Sequence, residues 1–328
     1  MVRTIQVSAF LKQLGEGISA PSIILSDDNQ RYILKNQKTS IDGRTIDLNC
    51  SFLNELLSHQ IAEYLGAPVP EAAVAELDRR ILDNGPALRF VHRFTEGIYF
   101  ASYEVPEKED NLLENYQVLK GMGKPYISRN WNKFYSNICN PKDSATIIAL
   151  DIFIANLDRY NNTGNLIIAQ SNDGRKLFSI DHGHAFFGPV WQVNKMSMLK
   201  SVAPTDEYFN AYLKEIFDNQ QKGFLNGLGE VFKSIETNIN LDNNADHDFI
   251  EIVHKIEQIN EDLLDSWFSN IPDIWFVDKV NQIGIYKYFL MQQKYLVRDF
   301  IQILANYRAF TNFRGGKLQW KEKLAGTV

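Results

Sequence analysis

Asp151-Ile152-Phe153-Ile154-Ala155-Asn156-Leu157-Asp158-Arg159-Tyr160-Asn161-Asn162-Thr163-Gly164-Asn165-Leu166-Ile167 and, shortly after it, Leu177-Phe178-Ser179-Ile180-Asp181-His182-Gly183-His184-Ala185-Phe186 decide the reading of this chain. An apolar helix breaks into a polar loop that holds a carboxylate, Asp158. Seven residues later an amide, Asn165, stands directly before the apolar strand Leu166–Ala169. Ser171-Asn172-Asp173-Gly174 is turn chemistry. The returning strand, Lys176–Ile180, delivers a second carboxylate, Asp181. Antiparallel pairing sets the start of one strand beside the end of the other, so the sequence predicts Asn165 and Asp181 as neighbours.

Two carboxylates and an amide so placed suit phosphoryl transfer. One Asp orients the attacking hydroxyl and accepts its proton, while an amide and the other Asp hold magnesium against nucleotide phosphates. Few protein ligands are needed, because phosphates and water complete the coordination of magnesium. Each residue alone has a plainer reading. An Asp beside Asn and Gly commonly braces a loop, and Asp181 equally suits a turn. The convergence of all three at these positions favours the chemistry. His182 and His184 lack a Cys or third His beside them, so they read as hydrogen-bonding residues and not as a zinc pair.

Outward from this segment, the first hundred residues read as strand-rich. Ser22–Leu25 and Arg31–Lys35 flank the turn Asp27-Asp28-Asn29-Gln30 and predict a hairpin. Residues 36–49 are polar and read as a loop. Phe52, Leu53, Leu56, Leu57, Ile61 and Leu65 recur at helical spacing. Gly66 closes that helix, and Pro68 and Pro70 prevent its resumption. Strands are expected at Ala73–Leu77, Arg80–Leu82 and Leu88–Phe94. From Glu104 the pattern turns helical, with helices expected over 111–120, 143–156 (capped by Asp143 or Ser144), Phe249–Asp262 and Gln282–Tyr307.

Bulk properties exclude several classes. The 328 residues are 45% apolar, enough for a substantial core, and carry a formal net charge of −6. No basic footprint points to nucleic acid, so no direct nucleic-acid binding is expected. Cys50 and Cys139 form no Cys-x-x-Cys pattern, which leaves neither a disulfide framework nor a structural zinc site. Met1–Gln6 lacks an apolar targeting segment, and no run approaches a membrane span. A cytoplasmic protein is expected.

The pattern Asn-x-Asp-Arg…Gly-Asn-Leu-Ile, followed by Ile-Asp-His-Gly-x-Ala-Phe, resembles the HipA-like kinases, and among them the compact stand-alone branch. The loop is also similar to that of the phosphoinositide lipid kinases. The resemblance implies an α+β, two-lobed protein-kinase-like fold. Its small β-rich N-lobe with one main helix would span 1–103, and its larger, mostly helical C-lobe 104–328. It implies a Ser/Thr kinase using ATP and magnesium on a protein substrate, with a neighbouring-gene product as a further partner. Asp158 and Arg159 would be catalytic, with Arg159 bracing Asp158 or a substrate phosphate. Gly15, Gly17 and Ser19 would lie in the phosphate-covering loop, where Ser19 or the adjoining Ser22 would be autophosphorylated. Lys35 would meet the phosphates, and Glu55 would pair with it, with Glu63 on the same helix and Glu71 close after it as alternatives. Leu65-Gly66-Ala67-Pro68-Val69-Pro70 matches the family's helix-end turn. Phe94, Thr95, Glu96 and Gly97 would end a strand between the lobes and offer backbone to adenine.

Asn165 and Asp181 would hold the metal. The wider family places its metal-binding Asn five residues after the catalytic Asp, a position held here by Thr163; Asn165 is preferred, with Asn161 and Asn162 as alternatives. That departure keeps a nucleotide-binding pseudokinase or scaffold open. A lipid or small-molecule kinase and a nucleotidylyl transferase on the same fold also remain.

Overall fold

The computed structural model describes residues 2–14, 21–41, 44–85, 93–109, 122, 127–156, 158–160, 162–218 and 229–322. Strands β1 (Arg3–Gln13), β2 (Ser22–Ser26) and β3 (Arg31–Leu34) run antiparallel in succession. The predicted hairpin joins β2 to β3. Its turn is held by Ser26 N–H donating to Gln30 O at 3.0 Å, with Asn29 in the left-handed region at φ 60°, a conformation Asn tolerates. Residues read as a loop instead form a second hairpin, β4 (Lys38–Ile41) with β5 (Arg44–Asp47). Its mostly polar sequence gives no period-two apolar signal.

Helix α1 (Ser51–Leu65) is buried nearly all round, polar residues included, and stops at Gly66, whose φ of 80° and amide bonds to Ala62 and Glu63 carbonyls reverse the chain. Strand β6 (Ala72–Leu77) follows as expected. Arg80–Leu82 is helical rather than extended, within α2 (Arg79–Asn84), because Asp78 Oδ1 caps it by accepting from Ile81 N–H at 3.1 Å. Most of Leu88–Phe94 lies outside the described residues. Strand β7 (Gly97–Tyr103) pairs with β3 and β6, and β1 lies parallel to β6, closing a five-stranded barrel in the order β1-β2-β3-β7-β6.

The boundary of β7 corrects one expectation. Thr95 and Glu96 lead into β7 and Gly97 opens it, the Tyr99 hydroxyl donating to Thr95 O at 2.8 Å and accepting from Thr95 N–H at 3.0 Å. The chain leaves the barrel through residues 104–109. These run beside the later hairpin, with Glu109 N–H donating to Ile168 O at 2.8 Å and Gln170 N–H to Glu107 O at 3.3 Å.

The rest is mainly helical. Residues 111–120 lie outside the described set. Helix α3 spans Ile127–Phe134 and α4 Asp143–Phe153. Lys142 occupies the cap position of α4, while Asp143 sits in its first turn and accepts from Asn140 Nδ2 at 2.7 Å. Strands β8 (Leu166–Ser171) and β9 (Gly174–Ser179) form the predicted tight hairpin. Then come α5 (Val193–Lys200), α6 (Asp206–Asp218), α7 (Gly229–Ile235), α8 (Phe249–Glu257), α9 (Glu261–Ser269), α10 (Lys279–Gln293) and α11 (Val297–Asn306). The periodicity that predicted one helix over Phe249–Asp262 is cut by Asn260, whose side chain caps α9 at Leu263 N–H. A break at Lys294–Leu296 likewise separates α10 from α11. Among the described residues, no helix is long and apolar enough to cross a membrane.

Candidate active site

Three separate segments converge on one ammonium. Lys35 follows β3 directly, its N–H donating to Phe100 O at 3.1 Å. Its Nζ donates to Glu55 Oε1 on α1 and, at 3.0 Å, to Asp181 Oδ1 after β9. The Lys35 and Glu55 side chains are 13% and 4% exposed, while that of Asp181 is 40% exposed. Burial alone would lower the Lys35 pKa, yet Asp181 and Glu55 reverse the effect and raise it. Burial likewise opposes the charged form of Asp181, but Lys35 outweighs it and holds that carboxyl below its usual range. Glu55, more deeply enclosed and facing Asp181, is pushed up by burial even against Lys35. Its Oε2 also accepts from His182 N–H at 3.1 Å.

A second cluster forms around Asp158. Its Oδ2 accepts from Asn165 Nδ2 at 3.2 Å and from Asn162 Nδ2 at 3.4 Å. Asn162 Oδ1 in turn accepts from Gly164 N–H, shaping the short 3-10 turn Thr163–Asn165. Asn161 lies outside the described residues. The register pairs Leu166 with Ser179, and Ile180 N–H donates to Asn165 O at 3.1 Å, so the predicted adjacency of Asn165 and Asp181 is present. Asp181 has φ 60°, and so do, within a few degrees, Phe186 (56°) and Phe187 (61°), while Ala155 beside them has 50°. Such outliers cost on the order of 1–3 kcal/mol each and persist where surroundings over-determine them. Here Phe186 N–H donates to Ile154 O at 2.7 Å.

Arg159 departs from expectation. It is wholly buried and does not reach Asp158 or the surface. Its Nε donates to Asp151 Oδ2 at 2.6 Å, and its Nη1 donates to Asn165 O at 2.6 Å and Ile180 O at 3.0 Å. One guanidinium nitrogen thus ties down the start and the end of the hairpin. Its Nη2 is buried without a hydrogen-bond partner among the described residues, and with the side chain wholly enclosed and its other nitrogens spent on Asp151 and the hairpin, the geometry is that of a positioning residue. The missed partner was legible: an Asp in an otherwise apolar helix needs a counter-charge.

The remaining predicted residues divide. Gly15, Gly17 and Ser19 lie outside the described residues, although Leu14 N–H donates to Pro21 O at 2.8 Å across the base of their segment. Ser22 is fully buried in β2, which removes it as an accessible hydroxyl. Glu96 stands just before β7, four residues ahead of Phe100, whose carbonyl accepts from Lys35 N–H. With Lys38, Thr45, Arg79 and Arg93 it lines a cavity of about 740 Å³ that includes none of Lys35, Glu55, Asp158, Asn165 or Asp181. His182 is buried, with Nε2 3.1 Å from Ser179 Oγ; burial, then the Arg159 and Lys35 charges, depress its pKa, so it is neutral.

The donor chemistry fits magnesium brought in with a nucleotide. Among the described residues no group of three or more His, Cys, Asp or Glu forms a preformed metal cage. An Asp and an Asn at adjacent hairpin ends instead offer the few hard oxygens that a phosphate-bound cation requires.

The HipA-like kinase family matches residues 7–235. Among solved structures, the Helicobacter pylori proinflammatory kinase CtkA is similar at TM-score 0.51 and 14% identity, over 95% of this chain and 100% of that one. HipA in the Shewanella oneidensis toxin–antitoxin complex with HipB and operator DNA is similar at 0.40 and 10%, over 90% of this chain and 67% of that one. Hydra Fam20 with sugar gives 0.42 and 11%, over 97% and 90%. The likeness to CtkA establishes a kinase-like fold. No curated protein matches the chain.

Proposed function

The chain belongs to the HipA-like kinase family, and from that premise we propose that it is an ATP- and magnesium-dependent phosphotransferase acting on Ser or Thr hydroxyls of a protein. The observation that carries this reading is Lys35, bonded to Glu55 and Asp181 beside the Asp158–Asn165 pair. In this reading the barrel region, 1–103, is an N-lobe and 104–328 a C-lobe, with the nucleotide between them. Lys35, steered by Glu55, binds the phosphates. Asn165 and Asp181 hold magnesium, which neutralises phosphate charge when bound. Asp158 orients the acceptor hydroxyl and takes its proton. Gly15, Gly17 and Ser19 cover the phosphates, and Ser19 is the candidate for autophosphorylation. Residues 104–109, which leave the barrel beside β8, replace Phe94–Gly97 as the backbone that would meet adenine. A cytoplasmic location and a neighbouring-gene partner complete the proposal.

The test is transfer of labelled γ-phosphate from ATP to protein with and without magnesium. Asp158→Asn should lose at least about a hundredfold in turnover with an unchanged melting temperature. Undiminished turnover in the folded variant would falsify the assignment. Thr163, at the position where the wider family carries its metal-binding Asn, favours a second reading as a pseudokinase: nucleotide-induced stabilisation without transfer to any acceptor. Product mass separates phosphoryl from adenylyl transfer, and lipid from protein acceptors.

A further inference from the structure

We propose that Asn54 is a positioning residue: its carboxamide is the joint that sets Glu55, and through it Lys35, against the segment Asp181–Gly188. The idea rests on the phosphotransfer reading for its functional meaning, but its geometry stands alone. Asn54 is fully buried on α1, one residue before Glu55. Its Nδ2 donates to Gly183 O at 2.8 Å, Ala185 O at 2.9 Å and Gly188 O at 3.1 Å. Two N–H groups serve three carbonyls, so one bond is shared. Its Oδ1 accepts from the Tyr286 hydroxyl at 2.8 Å and lies 3.4 Å from Lys195 Nζ. This network leaves one orientation for the amide, since a flip would press its oxygen against three carbonyls and its nitrogen against two donors.

The grip is two-sided. The next residue, Glu55, accepts His182 N–H and Lys35 Nζ. Consecutive residues of one helix therefore capture donors and acceptors of the same loop. The approach is close enough that a Cβ on Gly183 would stand 3.1 Å from Glu55 Oε1 and 3.8 Å from Asp181 Oδ1. Phe186 and Phe187, both at positive φ, lie between the clamped carbonyls of Ala185 and Gly188. Without the clamp that backbone is free to relax, and Asp181 loses its fixed distance from Lys35.

The experiment compares wild type with Asn54→Ala, Asn54→Asp and Tyr286→Phe. Hydrogen exchange is read on the protein alone, and Mg–ATP affinity by calorimetry. Asn54→Asp keeps the shape but opposes three carbonyls with an acceptor. Exchange at the amides of residues 182–188 should quicken about tenfold or more in both Asn54 variants, with the barrel strands unchanged. Mg–ATP affinity should fall about tenfold or more, the scale seen when supports of metal ligands are removed. Should Asn54→Ala fail to fold, Tyr286→Phe strips only one donor from Oδ1 and carries the same test in smaller measure. Unchanged exchange over 182–188, or a uniform rise throughout the molecule, overturns the proposal. A wild type that binds no Mg–ATP overturns the phosphotransfer reading instead, and the exchange result still decides the joint.

Discussion

Replacing Arg159 with Met should unfold the molecule far more readily than a charge-to-neutral change at an exposed site. The guanidinium and the Asp151 carboxylate are both fully buried, 2.6 Å apart. Removing one partner of a buried pair strands the other and costs about 3–5 kcal/mol. The carbonyls of Asn165 and Ile180 also lose a charged donor; Asn165 O retains Ile180 N–H, so part of that loss is spared. A net cost near 4 kcal/mol is a large share of the roughly 5–15 kcal/mol that holds a domain folded. Burial pushes the Asp151 carboxyl up even with Arg159 in place, and further without it. A raised folded pKa costs nothing while both states are protonated. The penalty accrues as pH climbs above the unfolded value near 3.9. The deficit should therefore be smaller at pH 5 than at pH 8. Urea unfolding of Arg159→Met, Asp151→Leu and the double variant measures this. The double variant should recover most of the loss, because no charge is then stranded. A loss below about 1 kcal/mol, independent of pH, in a protein that has lost only catalysis would refute the positioning role and return Arg159 to the phosphate.

Three other perturbations follow from the same contacts. Lys35→Met should keep the fold but weaken Mg–ATP binding about tenfold or more; unchanged affinity by calorimetry removes Lys35 from the phosphate site. Burial brings the Lys195 ammonium down to about 8, below the unfolded value near 10.4. Between these values the unfolded chain holds a proton that the folded one has shed, so stability should rise with pH by about 3 kcal/mol in total. Lys195→Met should flatten that rise in urea midpoints taken from pH 7.5 to 10. Glu96→Ala should leave nucleotide affinity within twofold of wild type, whereas Pro substitution at Val105 should not; equal effects would put adenine back at Phe94–Gly97.

The parts of this molecule that sequence revealed are those where local chemistry and tertiary role coincide. The β8–β9 hairpin carries its own turn, its own apolar strands and a functional residue at each end, so Asn165 and Asp181 could be placed without knowledge of anything distant. Helix α1 shows its period and its Gly66 stop. Arg159 was read beside Asp158, its neighbour in sequence, although its partner Asp151, eight residues back on α4, already stood out as a charge in an apolar helix. Glu96 stands before β7 and not after a strand that the described residues include, because the strand that leads out of the barrel is Gly97–Tyr103. Asn54 gave no local signal at all. A polar residue near a helix start reads as a cap, and only the folded chain shows carbonyls from residues 183–188 gathered around it. The β4–β5 ribbon was hidden for another reason: its residues are mostly polar and carry too few apolar positions to show an alternation.

The passage from barrel to helices has a mechanical consequence. At its near end Glu104 is fixed to β3, its N–H donating to Arg31 O at 2.9 Å and its carboxylate 2.7 Å from the Arg31 guanidinium. At its far end Glu109 is clasped by Arg175 at 2.7 and 2.8 Å, and Arg175 also holds Phe134 O at 2.8 Å. Lys108 bridges to Ala169. Only Val105 and Pro106 are left between two welded ends, and proline fixes one of their torsions. Such a flexure is short and stiff. A connection tied so closely at both ends holds β3, which leads into Lys35, and the β8–β9 hairpin, which carries Asn165 and Asp181 at its ends, in one frame.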